Sequence, residues 1–258
     1  MKGTIWCLHG AVGMADDWRG FSVPGWVVKR VDLWRFLDCC PMSMEAFGAA
    51  LNREVEATQG RKVLLGYSMG GRLALHALLE GVSSERDMPG TDWSETLQLL
   101  WDAAVIVSAH PGLVDEEEKV ARRARDAEWA AKALNGDWKA FLEEWNAQAV
   151  LGSRAELGGD RSLLQQRRQA VARSFMDWTL GGQEALSERL KEIKCPLLWC
   201  VGERDAKFRA IGERVEMLRG RNAPAPLWVA EGAGHRVPWE VPGAFAKKVG
   251  EFLEREVS

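Results

Sequence analysis

The sequence predicts an α/β fold, a mostly parallel, doubly wound sheet with an inserted block of helices. Three observations carry that prediction. Short, continuously apolar runs at 4–8, 63–65, 103–108 and 196–201 alternate with helical patterns, as strands buried on both faces between crossover helices do. One of these runs leads through Gly66-Tyr67-Ser68-Met69-Gly70 directly into a helical stretch. The strand pattern then disappears after residue 110 and resumes at 195. At 258 residues the chain is long enough for one large domain with an insertion. The expected division is a core of residues 1–110 and 195–258, with 111–194 forming a helical lid over the active site. A separate helical domain packed on the outside is the alternative.

Composition narrows the function classes. A net charge of −3 with 47% hydrophobic and 28% charged residues describes a globular protein and disfavours a general binder of nucleic acid or of anionic membranes. No apolar run approaches the ~20 residues needed to span a bilayer, and the N-terminal apolar stretch is too short for a signal peptide, so the expected location is cytoplasmic. Five cysteines (Cys7, Cys39, Cys40, Cys195, Cys200) are odd in number and read as reduced core residues, neither a disulfide frame nor a metal site. No cofactor motif is present. Nothing in the sequence explains thirteen tryptophans against one tyrosine.

The elements follow in order. Residues 4–8 form a buried strand ending in His9-Gly10-Ala11-Val12-Gly13, an early H-G turn that suits a second oxyanion donor; the backbone N–H of Ala11, paired with that of Met69, is assigned this role. His9 itself is expected to order the turn by hydrogen bonding. Residues 26–33 read as the next strand. Ser43 caps a helix to about residue 58, with Met44, Phe47, Leu51 and Val55 on one face. After the serine turn, Leu73, Ala77 and Leu75, Leu79 recur at i, i+4. Residues 83–94, with Pro89-Gly90, read as a loop. In the insertion, helices are expected over 116–134, along the stripe Trp138, Phe141, Leu142, Trp145, and over 162–175 and 184–193. The run 196–201 ends in Gly202-Glu203-Arg204-Asp205, a helix follows to about 219, and a last strand at 226–229 precedes Gly232-Ala233-Gly234-His235. The chain closes on an amphipathic helix with Phe245, Val249, Phe252 and Leu253.

Three chemistry-bearing residues thus stand at the ends of three of these strands. A serine on a sharp strand-to-helix turn has its hydroxyl exposed beside free backbone N–H groups and a helix dipole. An acid after one strand and a histidine after the next complete the order Ser68, Asp205, His235. His235 would take the Ser68 proton, while Asp205 orients the imidazole and stabilises its cation. Glu203 is the alternative acid.

These stretches resemble the α/β-hydrolase superfamily. Within it, the chain is similar to the 2-succinyl-6-hydroxy-2,4-cyclohexadiene-1-carboxylate synthase family of menaquinone biosynthesis. The resemblance covers nearly the whole chain: Leu8-His9-Gly10 with Asp17-Trp18, residues 66–75, His110-Pro111-Gly112-Leu113 with 116–126, 167–175 with Thr179-Leu180-Gly181-Gly182, 202–208 and Ala233-Gly234-His235. It implies an elimination in which the activated serine removes a substrate proton and pyruvate leaves. It also implies a small-molecule substrate carrying several carboxylates, whose geometry suits arginine forks. Carried over by position, Arg72 and Arg122 bind carboxylates, with Arg168 (or its neighbour Arg167) as a third candidate, and Tyr67 and Trp145 line the pocket. No cofactor is implied.

The sequence also departs from that pattern. Asp32-Leu33-Trp34-Arg35-Phe36-Leu37 stands where relatives carry Asp-Leu-Pro-Gly-His-Gly, Ala11 replaces a frequent phenylalanine, and the chain starts almost at the first matching strand. Two further readings accompany the lyase: a serine hydrolase of an ester, thioester or C–C bond, and a non-catalytic receptor on the same fold.

Overall fold

A computed structural model describes residues 1–83, 99–151, 157–219 and 226–257. Six strands, β1 (Gly3–Leu8), β2 (Trp26–Val31), β3 (Arg61–Tyr67), β4 (Ala103–Val107), β5 (Leu197–Gly202) and β6 (Leu227–Ala230), form one sheet in the order β2-β1-β3-β4-β5-β6. Every pairing among them is parallel. The order reverses between β1 and β3, which pair in the register Leu8↔Gly66. Crevices at such a reversal, beyond the carboxyl ends of the strands, are where open α/β sheets bind ligands.

The strand residues divide between two cores with period two. Trp6, Leu8, Leu64, Ile106, Leu197, Trp199 and Val201 pack on one face, with α1 (Met44–Glu56), α2 (Met69–Ser83) and α6 (Ala206–Arg219). Ile5, Cys7, Val63, Leu65, Val105, Leu198 and Cys200 pack on the other, against Trp18 and the Phe245, Val249 and Phe252 stripe of α8 (Pro242–Glu256). Burial of each large side chain of this kind contributes about 1.5–3 kcal/mol, so the alternation fixes the register of the sheet. Tryptophan supplies much of the volume. Trp6, Trp18, Trp34, Trp178 and Trp199 are among the largest fully buried side chains, and the indole nitrogens of all but Trp34 have no hydrogen-bond partner among the described residues.

Between β4 and β5 the described residues contain helices but no strand. They are α3 (Glu116–Asn135), α4 (Trp138–Asn146), α5 (Arg168–Asp177) and 3₁₀ turns at Ala149–Leu151, Arg161–Arg167 and Ser187–Glu192. Each of the first two is started by an aspartate: Asp115 and Asp137 accept hydrogen bonds from the N–H groups of Glu118 and Ala140. Ser43 caps α1 in the same way.

Several expectations require correction. The segments 162–175 and 184–193 are not two α-helices: the first is split into a 3₁₀ turn and α5, and the second is 3₁₀. Strand β2 stops at Val31 because Trp34–Phe36 turns into a short 3₁₀ segment. Cys39 and Cys40 are exposed, whereas Cys7, Cys195 and Cys200 are buried. The expected loop at 83–94 lies, beyond Ser83, outside the described residues. No described helix is long and apolar enough to cross a membrane.

Candidate active site

The site begins with a backbone constraint. Ser68 holds φ at +52°, a left-handed conformation that disfavours any side chain. Its N–H is bonded to Val107 O at 2.8 Å, and its carbonyl accepts the first-turn bond of α2 from Arg72 at 3.1 Å. The flanking glycines are required by space: a Cβ on Gly66 would lie 2.4 Å from Gly70 O, and one on Gly70 would lie 2.4 Å from His9 O. The hydroxyl of Ser68 is left half-buried at the mouth of the sheet.

The other two residues come to it from loops that follow β5 and β6. His235 Nε2 stands 3.2 Å from Ser68 Oγ, and His235 Nδ1 stands 2.6 Å from Asp205 Oδ2. Both His235 and Asp205 are buried, so the pair is shielded from competing water. Phe208 packs its ring on the imidazole with centroids 4.5 Å apart, and its N–H reaches Asp205 Oδ1 at 3.4 Å. Glu203, the alternative acid, accepts from the N–H of Gly232 at 2.9 Å and so ties the histidine loop to β5. With Nδ1–H donated to a carboxylate, Nε2 is free to accept a proton from the serine.

The N–H groups of Ala11 and Met69 have no intramolecular acceptor among the described residues. His9 holds the first of these loops. It is fully buried, its Nδ1 meets Gly10 O at 2.9 Å, and its Nε2 accepts from Leu33 N at 3.3 Å. Burial lowers its pKa, which keeps the ring neutral and able to accept. Trp34, in the segment that departs from relatives, completes the support: its indole donates to Gly13 O at 2.8 Å and its ring lies 5.1 Å from His9.

The five expected binding residues divide. Arg72 is buried, and its guanidinium donates to Gln183 Oε1 at 3.1 Å and to Trp178 O at 2.8 Å. No carboxylate pairs with it among the described residues, and burial followed by the nearby Arg122 charge lowers its pKa; a guanidinium nevertheless stays protonated at neutral pH. Arg122 meets Asp126 through Nε alone, at 2.9 Å to both oxygens, and Thr179 holds Asp126 in place at 2.6 Å. Its terminal nitrogens are unused among the described residues. The same charges act on His110, whose pKa is lowered to about 4 by burial and then by Lys207, Arg72 and Arg122. Its Nδ1 accepts from Gly112 N at 3.0 Å, so Nε2 carries the hydrogen and is the ring's donor.

Arg168 is not brought to this cluster. Its guanidinium donates to Ala133 O at 2.9 Å and Gly136 O at 2.6 Å, closing the C-terminus of α3. Arg167 pairs with Asp32 at 2.5 Å and with Asp38. Tyr67 and Trp145 do share a recess beside Ala11. Tyr67 packs edge-on against Trp239 at 4.8 Å, while Trp145 also packs edge-on within the insertion against Trp129 and Phe175.

The model of the alpha/beta hydrolase family matches residues 7–248. The chain belongs to the α/β-hydrolase family. Similar curated proteins are the 2-succinyl-6-hydroxy-2,4-cyclohexadiene-1-carboxylate synthases of Pectobacterium atrosepticum, 30% identical over 97% of this chain and 94% of that one, and of Serratia proteamaculans, 28% identical over 96% and 92%. Among solved structures, MenH from S. aureus superposes with a TM-score of 0.80 at 22% identity, covering 100% of this chain and 96% of its own. A thermophilic esterase from Thermogutta terrifontis gives 0.63 at 19% identity, covering 99% and 90%. The chain is therefore an enzyme on the α/β-hydrolase fold.

Within this α/β-hydrolase, sequence reading left several site residues unassigned. Lys207 and His110 were visible only as parts of the quoted motifs, and Phe208 only as the neighbour of Lys207. Arg236, directly after His235, gave no signal: a charged residue at a loop end reads as solvated, yet this one is buried.

Proposed function

We propose that this α/β-hydrolase eliminates pyruvate from a polycarboxylated cyclohexene intermediate of menaquinone biosynthesis, in the cytoplasm, with the helical insertion serving as its lid. The observation that carries this reading is a buried Arg72 that no carboxylate pairs with among the described residues, in the same molecule as a serine hydrogen-bonded to a histidine. A buried cation with no carboxylate of its own is costly unless an anionic ligand completes it. Near full-length similarity to synthases of this name supports the choice of substrate.

In this mechanism His235 Nε2 takes the Ser68 hydroxyl proton, and the alkoxide removes the substrate proton next to the succinyl carbonyl. The N–H groups of Ala11 and Met69 stabilise the resulting enolate oxygen. The electron pair of the broken C–H bond completes the conjugated diene as the ring C–O bond to the enolpyruvyl group breaks. The departing enolate takes up a proton and becomes pyruvate. Asp205 holds the imidazole and offsets its positive charge. Arg72 and Arg122 fix the carboxylates, so that the proton to be removed lies over Ser68.

Ester hydrolysis is the second reading, because a half-exposed serine bonded to a histidine–aspartate pair is also the apparatus of acyl transfer. One assay separates the two. Wild type, Ser68→Ala and Arg122→Ala are compared for pyruvate release from the enzymatically prepared precursor and for hydrolysis of 4-nitrophenyl acetate. The expected result is pyruvate release by wild type, lost by roughly 10³-fold or more in Ser68→Ala, with KM raised about tenfold or more in Arg122→Ala. Ester turnover without pyruvate release would assign the enzyme to the hydrolases.

A further inference from the structure

A second group of polar side chains lies in the recess that adjoins Ala11 and Tyr67. Its walls include Trp145, Asn146 and Arg161 from the insertion together with Arg236 and Trp239. The wall at Gly10 packs against the serine turn: a Cβ on Gly10 would lie 3.6 Å from Ser68 Cβ.

The charges in the recess do not cancel. Asp17 is buried and bound to Arg161, with Oδ1 at 2.7 Å from Nη2; its other oxygen accepts from Met14 N at 2.9 Å. That pair is internally neutral. Glu240 lies behind the histidine loop, where it accepts from the N–H groups of Gly234 and Arg236 at 2.8 and 2.9 Å and meets the exposed Arg204. Arg236 remains. Only 7% of it is exposed, and its guanidinium makes a single hydrogen bond among the described residues, from Nη2 to Asn146 Oδ1 at 2.8 Å. No carboxylate among the described residues pairs with its guanidinium. Burying a guanidinium fork with most of its donors unmet is unfavourable unless something anionic is bound there.

We propose that Arg236, oriented by Asn146, is a second carboxylate subsite of this enzyme, distinct from the cluster of Arg72, Arg122 and Lys207. It holds one carboxylate of the substrate on the side of the oxyanion donors. As a statement about the substrate this rests on the lyase reading; as a statement about anion binding it stands alone. It also supplies the third cation that Arg168, committed to the end of α3, does not provide. A substrate with carboxylates at both places is pinned across Ser68 and cannot rotate in the site.

The test is calorimetric titration of propane-1,2,3-tricarboxylate into wild type, Arg236→Gln, Arg236→Lys and Arg122→Ala, with no turnover required. Saturable binding by wild type is expected, weakened about tenfold in Arg236→Gln and largely kept in Arg236→Lys. Arg122→Ala weakens it independently, so that the double variant shows the product of the two effects. The absence of binding by wild type, or equal binding by wild type and Arg236→Gln, would overturn the subsite. So would an equal loss in Arg236→Gln and Arg236→Lys, because a lost packing contact is indifferent to charge. Pyruvate release, measured separately, reports on the lyase reading alone.

Discussion

At Ser68 the backbone and the side chain have opposed interests. The left-handed φ of +52° costs about 1–2 kcal/mol in a residue bearing a Cβ, and Gly66 and Gly70 exist to permit it. Replacing Ser68 by glycine removes that penalty together with the nucleophile. Ser68→Gly is therefore expected to be inactive yet more stable than wild type by about 1 kcal/mol in denaturant titrations; an unchanged or lower midpoint would mean that the turn is not strained. The three residues at the serine were legible in the sequence because each follows a strand, so their positions are fixed by chain order alone. The arginines were not. Whether Arg72, Arg168 or Arg236 faces a ligand depends on which carbonyls and amides lie within reach of a long side chain, and neighbours in space are not neighbours in sequence. Arg167 and Arg168 are adjacent, yet one binds Asp32 and Asp38 and the other the end of α3.

The helical insertion is joined to the core by polar contacts to the loops that carry the site. Arg161 reaches Asp17 at 2.7 Å, and the side chains are only 13% and 3% exposed. Breaking such a buried pair leaves a carboxylate without its counter-ion, so Arg161→Ala is expected to lower the unfolding free energy by about 3 kcal/mol, read as a shift in the urea midpoint. A loss below about 1 kcal/mol would show that the pair is solvated in solution. The existence of helices here was readable from spacing, but their type was not. An apolar contact every three or four residues serves a 3₁₀ turn over seven residues as well as an α-helix, and what decides is the neighbour against which it packs: Leu164 and Leu190 are buried, while most of the residues around them are not. Trp34 shows the same limit in reverse. Its segment lacks the expected glycines, yet its indole performs a loop-holding task through Gly13 that no pattern at residues 32–37 discloses.

Across the whole molecule three histidines shielded from solvent contribute to the response to acid. His9, His76 and His110 all have lowered pKa values, the last two at about 4, with burial the leading cause. In the unfolded chain each titrates near 6.5, so between about pH 6.5 and 4 the unfolded state binds more protons than the folded one. The stabilisation is fully present above that window and is lost as pH falls through it. The urea midpoint is expected to fall steadily from pH 7 to 4, and His76→Gln should flatten the curve; a flat wild-type profile would contradict the burial of these rings. The parallel sheet itself was plain from the sequence, since β1, β3, β4 and β5 are runs that no surface helix tolerates, whereas the purpose of the tryptophans was not. Most are core volume, and five of the largest fully buried side chains are indoles. Trp145 and Trp239, by contrast, stand in the wall of the recess with Arg236. With a single tyrosine in the chain, emission excited near 295 nm comes from indoles alone, and those in the core supply a constant background. An anion settling against Arg236 changes the electric field at Trp145 and Trp239, so the enzyme carries its own optical indicator of occupancy, without a label.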